Sequence, residues 1–147
     1  MTINFVTGIG GFVASHLADY LLEQGEEVWG TYRWYEELSR VKHLHGNPNF
    51  HMIPMDLTDQ GSCISAIEKV KPDYIFHLAA QSYVSESFDY PVATMMANGV
   101  GTLNILEAIR IVIRNTKELA EEGGTNCNYD PVIHICSSSE VYGLVGK

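Results

Sequence analysis

The stretch that decides the fold is TGIGGFVA, residues 7–14. The run that leads into it, residues 3–7, is short and mostly apolar, which is typical of a buried strand. Behind it the apolar residues recur at four-residue spacing, so the pattern predicts a helix over residues 11–24. A glycine-rich turn between a strand and a helix lets the backbone approach a phosphate group at the helix N-terminus.

The glycines of this turn follow the pattern G-x-x-G-x-x-A, formed by Gly8, Gly11 and Ala14. Ala14 stands where the usual pattern has a third glycine. An ordinary tight turn from a strand into a helix is the alternative interpretation. The position between a predicted strand and a predicted helix, at the start of the chain, favours a dinucleotide-binding site.

The rest of the chain continues the alternation of strands and helices. Apolar strands followed by helical patterns indicate a parallel sheet that is covered on both faces. We therefore predict an α/β fold with a doubly wound, Rossmann-like parallel sheet, truncated after about five strands. The predicted strands are 3–7, 27–32, 50–55, 74–78 and 132–136, the predicted helices are 11–24, 36–44, 59–70 and 91–119, and residues 118–130 are expected to form a surface loop.

The residue that closes the second predicted strand selects between the two nicotinamide dinucleotides. An acidic side chain there accepts hydrogen bonds from the ribose hydroxyls, whereas an arginine pairs with the 2′-phosphate of NADP. The sequence offers Arg33, and the first acid after it is Glu36. The pattern therefore favours NADP, while Glu36 leaves NAD as the alternative and a solvated Arg33 is a third possibility.

Composition and charge exclude several classes of function. The chain has 147 residues, 46% of them hydrophobic and 18% charged, which is typical of one globular domain. A net charge of −9 argues against nucleic acid or an anionic membrane as the partner. The N-terminus lacks the pattern of a signal peptide, and no apolar run approaches the ~20 residues that span a bilayer. We expect a cytoplasmic protein.

Cysteines and histidines give no sign of a metal site. Cys63, Cys127 and Cys136 are odd in number and show no C-x-x-C spacing, which favours reduced thiols over disulfides or zinc. The histidines show no metal-ligand spacing either. His77 and His134 lie in predicted strands, where we expect them to pack against other residues.

Several motifs in order along the chain resemble the extended short-chain dehydrogenase/reductase family. They are TGIGGFVASHL, MDLTD, HLAAQS, NGVGTLNILEA and SSSEVYG. Within that family the chain looks most like the GDP-mannose 4,6-dehydratases, and RVKHL and AQSYVSESF carry that finer match. The resemblance implies a nicotinamide cofactor, a nucleotide-sugar substrate (most of all GDP-mannose) and a homo-oligomer. It covers nearly the whole chain except residues 115–130.

The resemblance also assigns roles to residues. The glycine-rich turn of residues 7–14, called the phosphate turn below, would hold the pyrophosphate. Two residues after the third strand would flank the adenine, and the segment after the fourth strand would run beneath the nicotinamide. Ser87 would be a weaker candidate for contact with the sugar. The residues so implied are Gly8, Ile9, Gly10, Gly11, Phe12 and Val13 for the pyrophosphate, Asp56 and Leu57 for the adenine, and Leu78, Ala79, Ala80, Gln81 and Ser82 for the nicotinamide side.

In SSSEVYG the resemblance implies that Ser138 and Glu140 are catalytic. In such a dehydratase, hydride leaves sugar C4, water is eliminated across C5 and C6, and hydride returns to C6. Oxidation at C4 acidifies the C5 proton, so a carboxylate such as Glu140 can remove it and protonate the departing hydroxyl. Ser138 would hydrogen-bond the C4 oxygen. Ser137 and Ser139 are better explained as hydroxyls that satisfy backbone groups.

The resemblance leaves part of the family's pattern without a counterpart. The tyrosine–lysine pair of the family lies beyond residue 147, and Tyr142 and Lys147 do not have its spacing. We therefore expect residues 1–147 to be an incomplete dinucleotide-binding domain that has little or no dehydratase turnover alone. A nucleotide-sugar 4-epimerase, a 4-keto-sugar reductase and a non-catalytic NADP(H)-binding module stay open as alternatives.

Overall fold

A computed structural model of the chain describes residues 1–123 and 128–143, apart from the side chains of Ser139 and Glu140. Its sheet has five parallel strands in the order β3-β2-β1-β4-β5, with β1 at the centre. This confirms the predicted doubly wound sheet. The strands are β1 (Ile3–Val6), β2 (Glu27–Tyr32), β3 (Phe50–Pro54), β4 (Tyr74–His77) and β5 (Val132–Ile135).

Helices connect these strands and cover the sheet. The helices are α1 (Phe12–Glu23), α2 (Gln60–Val70), α3 (Val84–Asp89), α4 (Pro91–Met95) and α5 (Gly101–Glu122), with 3₁₀ helices at Ser39–Leu44 and Ser139–Tyr142 and a π-helix at Met96–Val100. Alternate strand residues point to opposite faces, so Phe5 packs with α2 and α5 on one face and Val6 packs with α1 on the other.

Local chemistry sets the ends of the helices. Gly25, with φ 78°, follows α1 in the left-handed region and ends it where the sequence predicted. The Asp59 side chain accepts a hydrogen bond from the Gly61 N–H at 3.0 Å and so caps the N-terminus of α2. The order of strands reverses between β1 and β4, so the carboxyl ends of these strands border the crevice where such sheets bind ligands.

Three predicted segments need correction. Residues 36–44 were expected to form one helix, but only Ser39–Leu44 is helical, as a 3₁₀ helix. Residues 91–119 do not form one regular helix, because the π-helix Met96–Val100 separates α4 from α5. The surface loop expected over 118–130 begins later, because α5 continues to Glu122.

The expectation that no segment is long and apolar enough to span a membrane is also wrong. Within the described residues, the continuous helical stretch Pro91–Glu122 meets that test by length and composition. The π-helix joins α4 to α5, so apolar residues on both sides count together. Ile105, Ala108 and Val112 of α5 are buried against the sheet and α2, which is also the position of a core helix in a globular domain.

Strand β5 is less covered than its apolar sequence predicts. Val132 is 58% exposed and Ile135 36% exposed. His134 is exposed too, and its ring lies beside that of Phe76 with the two centroids 6.3 Å apart, whereas His77 is buried as predicted. The reason is geometric: β5 is the edge strand, and no helix within the described residues packs against its α1 side.

Candidate functional site

The glycine-rich turn lies at the carboxyl end of β1 and is fixed to both neighbouring strands. The Gly8 N–H donates to Thr31 Oγ1 at 3.2 Å, and the Ile9 N–H donates to the Thr31 carbonyl at 2.9 Å. Gly8 has φ 69°, and a Cβ on it would lie 3.0 Å from the Cβ of Ala79. The turn therefore needs glycine both for its conformation and for its close approach to the segment after β4.

Gly30 is a further glycine that the turn requires, and it was not among the predicted site residues. A Cβ at Gly30 would clash with Cγ1 of Ile9 and stand 2.7 Å from its Cβ, and the side chain of Ile9 is fully buried. The missing side chain lets Ile9 pack onto β2 and anchors the turn. A glycine inside a strand pattern is the signal that could have revealed this close approach.

The start of α1 presents backbone N–H groups beside the turn. Gly11 is the N-cap of α1 and its own N–H donates to the Gly8 carbonyl at 2.9 Å, while no side chain among the described residues caps this end of the helix. Gly11, Phe12 and Val13 are exposed. The first N–H groups of a helix have no partner within it, and the helix dipole makes them favourable for an anion. Uncapped donors beside a glycine turn fit a pyrophosphate.

A cavity of about 280 Å³ adjoins the carboxyl ends of β2 and β3. Asp56, one of the two residues predicted to flank adenine, lines it, and its carboxylate accepts hydrogen bonds from the Thr58 N–H and hydroxyl at 2.9 and 2.8 Å. Leu57 does not line the cavity. Its side chain faces Gly101, and its carbonyl accepts from Asn104 Nδ2 at 2.7 Å. The cavity is lined by Tyr32, Arg33, Trp34, Pro54, Met55, Asp56 and Ser62.

Arg33 is exposed on the rim of this cavity, with its guanidinium carbon 4.8 Å from the ring centroid of Tyr35. The Glu36 carboxylate accepts from the Arg33 backbone N–H at 3.0 Å. In the part of the chain that the structure describes, no carboxylate forms an ion pair with the Arg33 guanidinium. The guanidinium is therefore available to an anionic group in the cavity.

A second arginine, Arg40, reaches the glycine-rich turn, although it was not among the predicted site residues. Arg40 Nη1 donates to the Gly10 carbonyl at 3.4 Å. A Cβ on Gly10 would lie 2.6 Å from the Glu37 carbonyl oxygen and 3.0 Å from Glu36 Oε1. The turn thus packs against the segment that carries both Arg33 and Arg40. The sequence signal was the RVKHL motif, which contains Arg40.

The segment after β4 lies directly against the turn. The Leu78 and Ala79 N–H groups both donate to Thr7 Oγ1, at 3.0 and 2.9 Å. The Gln81 N–H donates to Asn98 Oδ1 at 2.7 Å, and Asn98 Nδ2 donates back to the Gln81 carbonyl at 2.9 Å. Ala80 and Ser82 complete this segment and are exposed.

His77 closes β4 beneath this segment. Its Nδ1 lies 3.0 Å from Thr7 Oγ1, and its Nε2 lies 3.2 Å from Thr102 Oγ1. Burial lowers the pKa of His77 below its ordinary value of 6.5, because the protonated ring would lose its hydration. His77 is therefore neutral in the folded chain at pH 7.

Acid is expected to destabilise the fold through His77. Its pKa is lower in the folded than in the unfolded chain, so the unfolded chain binds more protons below about pH 6.5. This contribution to stability is complete above that pH and is lost as the pH falls toward the folded-state pKa. Thermal unfolding between pH 7.5 and 5.5 should show a smaller loss for His77→Gln than for the parent chain. Equal losses in both, with the exposed His45→Gln as control, would contradict this.

The two candidate catalytic residues follow β5. The Cys136 N–H donates to the His77 carbonyl at 3.1 Å, which brings the end of β5 beside β4. Ser138 is exposed two residues later, and its carbonyl accepts from the Val141 N–H at 3.3 Å. The backbone of Glu140 lies in the 3₁₀ helix Ser139–Tyr142, but its side chain lies outside the described part of the chain.

The Ser87 hydroxyl and the possible metal ligands are the remaining features of the predicted site. The Ser87 hydroxyl donates to the Val84 carbonyl at 2.6 Å within α3, so the structure gives it a local partner. Among the described residues, no group of three or more histidine, cysteine, aspartate or glutamate side chains could hold a metal ion. The structure thus brings together the turn, the cavity and the segment after β4, with Ser138 at the end of the adjoining strand.

The glycine-rich turn after β1, the cavity beside β2 and β3 and Ser138 beyond β5 all lie past the carboxyl ends of parallel strands, which is the arrangement expected of an extended short-chain dehydrogenase/reductase. The family model described as GDP-mannose 4,6 dehydratase matches residues 5–147. The chain belongs to that family.

Known proteins of this kind extend well beyond the matched region. The chain is 35% identical over 147 residues to the GDP-mannose 4,6-dehydratase of Yersinia enterocolitica, covering 95% of this chain and 36% of that protein. It is 40% identical over 153 residues to the GDP-mannose 4,6 dehydratase of Homo sapiens, covering 97% of this chain and 37% of that protein. The chain therefore spans little more than a third of the length of these relatives.

A solved structure supports the fold. The UDP-glucose 4-epimerase from Brucella ovis in complex with NAD aligns with a TM-score of 0.76 and 25% identity. The alignment covers 100% of this chain and 39% of that one. The epimerase and this chain share the arrangement of the sheet and its helices.

Proposed function

We propose that this chain is the dinucleotide-binding part of a nucleotide-sugar 4,6-dehydratase, a lyase that acts on GDP-mannose with NADP. The observation that carries the proposal is the family match over residues 5–147, which includes both the phosphate turn and SSSEVYG. Because the chain spans little more than a third of its relatives, we propose the activity for the chain joined to the remaining part of such an enzyme.

The geometry of the crevice suits a nicotinamide dinucleotide. The uncapped start of α1 and the Gly8–Gly11 turn would hold the pyrophosphate, the cavity beside Asp56 would take the adenine, and Leu78–Ser82 would run beneath the nicotinamide. When bound, the oxidised nicotinamide supplies the hydride acceptor that the reaction requires. The Brucella relative binds NAD, and a nicotinamide dinucleotide is what we propose for this chain as well.

Two arginines favour NADP over NAD. No carboxylate among the described residues forms an ion pair with Arg33 at the rim of the cavity, and Arg40 reaches the glycine-rich turn. A guanidinium recognises a phosphate through paired, charge-assisted hydrogen bonds. Glu36 lies close to Gly10 and is the feature that favours NAD, but its carboxylate is already bonded to the Arg33 N–H.

The chemistry is assigned to Ser138 and Glu140. We propose that Ser138 donates a hydrogen bond to the sugar C4 oxygen and steadies it as its charge changes. Glu140 would remove the C5 proton, which the C4 ketone has acidified, and deliver a proton to the C6 hydroxyl as it leaves as water. A single carboxylate can perform both transfers, because the proton that it removes is the proton that the leaving group needs.

A graft onto a relative tests the proposed activity. The chain would replace the matched region of the Yersinia enzyme, and the graft would first be checked for folding and NADP⁺ binding. With GDP-mannose, it should form a 4-keto-6-deoxy product with loss of one water. Glu140→Gln should slow turnover by about 10²–10⁴-fold, the usual range for general acid–base groups, whereas Ser139→Ala should not.

The alternatives predict different products in the same assay. A 4-epimerase would return a sugar of unchanged mass. A 4-keto-sugar reductase would leave GDP-mannose unchanged, because that sugar has no ketone, and would oxidise NADPH only when a 4-keto sugar is supplied. A folded graft that binds NADP⁺ but forms no product would favour the non-catalytic binding module. Full activity of the Glu140→Gln graft would contradict the proposed role of Glu140.

We also propose that the protein is a cytoplasmic homo-oligomer that binds neither nucleic acid nor membrane. Its acidic charge opposes both of those partners. The helical stretch α4–α5 carries an exposed apolar stripe of Val92, Met95, Leu103 and Leu106, which a second copy of the chain could cover. Sedimentation should show association that Leu103→Lys weakens, and a parent chain that stays monomeric at high concentration would contradict this.

A further inference from the structure

A continuous chain of hydrogen bonds connects the phosphate turn to the segment after β4. It begins at Thr7, passes through His77 and Thr102, and reaches Asn98 in the π-helix. Asn98 then holds both backbone groups of Gln81. Thr7 and His77 are among the buried polar residues, and Thr102 and Asn98 are half-buried. Buried polar groups in folded proteins are normally hydrogen-bonded, and each of these groups has such a partner.

The donors and acceptors of this chain fix the tautomer of His77. Thr7 Oγ1 accepts the N–H groups of Leu78 and Ala79, so both of its lone pairs are used and its own hydrogen points to His77 Nδ1. Nδ1 is therefore an acceptor, and the proton of the neutral ring lies on Nε2. That N–H donates to Thr102 Oγ1 at 3.2 Å.

The hydrogen bonds beyond His77 all donate in the same direction, toward Asn98. Thr102 Oγ1 uses its hydrogen on the Asn98 carbonyl at 2.6 Å, so it is the acceptor that the His77 Nε2–H requires. Asn98 lies in the π-helix Met96–Val100, a wide turn of the kind found at functional sites. There its side-chain amide meets Gln81 through two hydrogen bonds of 2.7 and 2.9 Å.

From this geometry we propose that His77, as its Nε2–H tautomer, is a positioning residue that fixes Leu78–Ser82 relative to the phosphate turn. One end of the segment is held by Thr7 and the other by Asn98, and His77 with Thr102 joins the two anchors. The role in cofactor binding rests on the proposed function, because this segment is where the nicotinamide would lie. The hydrogen bonds that hold Leu78–Ser82 in place are present in the chain without cofactor.

A protonated His77 could not take this place. Its Nδ1–H would point at Thr7 Oγ1, whose lone pairs already accept two backbone N–H groups. One of those bonds would have to break, which would release the start of the segment from the turn. The arrangement therefore requires a neutral ring and one particular tautomer.

The test removes one hydroxyl and measures local opening without cofactor. Thr102→Val keeps the shape of the side chain but deletes the link between His77 and Asn98. Amide hydrogen exchange by NMR should become about tenfold faster at Gln81, the effect of losing about one hydrogen bond's stabilisation. Thr116→Val, the same change at a buried threonine of α5, is the matched control and should leave Gln81 unchanged. Thr102→Ser should restore the protection.

A second measurement needs no variant. Nitrogen NMR of the parent chain should show His77 at pH 7 as the neutral Nε2–H tautomer. An Nδ1–H tautomer, or unchanged exchange at Gln81 in folded Thr102→Val, would overturn the proposal. NADP⁺ titration separates it from the proposed function: Thr102→Val should bind several-fold more weakly than the parent. If the parent binds no dinucleotide, the proposed function fails, whereas faster exchange at Gln81 would still support the positioning role.

Discussion

Replacement of Gly8 by valine is expected to weaken dinucleotide binding by about two orders of magnitude. Gly8 has φ 69°, which costs a residue with a Cβ about 1–2 kcal/mol. The new Cβ would also stand 3.0 Å from the Cβ and 3.1 Å from the Cα of Ala79, so the turn must move away from the segment after β4. Loss of two phosphate hydrogen bonds of about 1.5 kcal/mol each corresponds to roughly a hundredfold weaker binding.

Calorimetric titration with NADP⁺ measures this effect, and Gly25 provides the matched control. Gly25 has φ 78°, so Gly25→Val imposes a comparable backbone strain, but a Cβ there meets nothing within 4 Å. Both variants should be less stable than the parent in thermal unfolding. Only Gly8→Val should lose affinity. An equal loss of affinity in both variants would show that general destabilisation, and not the geometry of the turn, governs binding.

Replacement of Arg33 by alanine is expected to reverse the preference between the two cofactors. The guanidinium lies on the rim of the cavity and has no ion pair among the described carboxylates. A charge-assisted bond to the 2′-phosphate contributes about 1.5–3 kcal/mol, so NADP⁺ should bind roughly 10–100-fold more weakly. NAD⁺ lacks that phosphate, so its affinity should change little.

The comparison requires titration of both dinucleotides into the parent, Arg33→Ala and a control. Arg114→Ala removes the same charge from the exposed face of α5 and tests for a general effect of net charge. It should leave both affinities unchanged. If Arg33→Ala weakens NAD⁺ and NADP⁺ by the same factor, Arg33 contacts a group common to both, and the argument for NADP selection fails.

The alternation of strands and helices along the chain could be predicted from the sequence, because apolar periodicity and glycine placement carry that information locally. The turn at Gly8, the end of α1 at Gly25 and the burial of His77 follow from short-range patterns. The break between α4 and α5 could not be predicted, because a single π turn of five residues changes the helical spacing too briefly to alter the apolar pattern of the whole stretch. The exposure of β5 depends on what packs beside an edge strand, which its own sequence does not specify.

The parts of the site that were missed depend on contacts between distant segments. Gly30 admits Ile9 from a turn about twenty residues earlier, and Arg40 reaches back to Gly10. The path from Thr7 to Asn98 needs residues from β1, β4 and α5 to meet. Such pairings follow from the topology and not from any single motif. The roles of Ser138 and Glu140 stay predictions that rest on the motif.

Binding of NADP in this crevice underlies the roles proposed for its residues and can be measured in one titration. NADP⁺ would be added to the parent chain in a calorimeter after circular dichroism has shown the chain to be folded. We expect saturable binding of one NADP⁺ per chain, tighter than the binding of NAD⁺ under the same conditions. A folded chain that shows no saturable binding of either dinucleotide would contradict it.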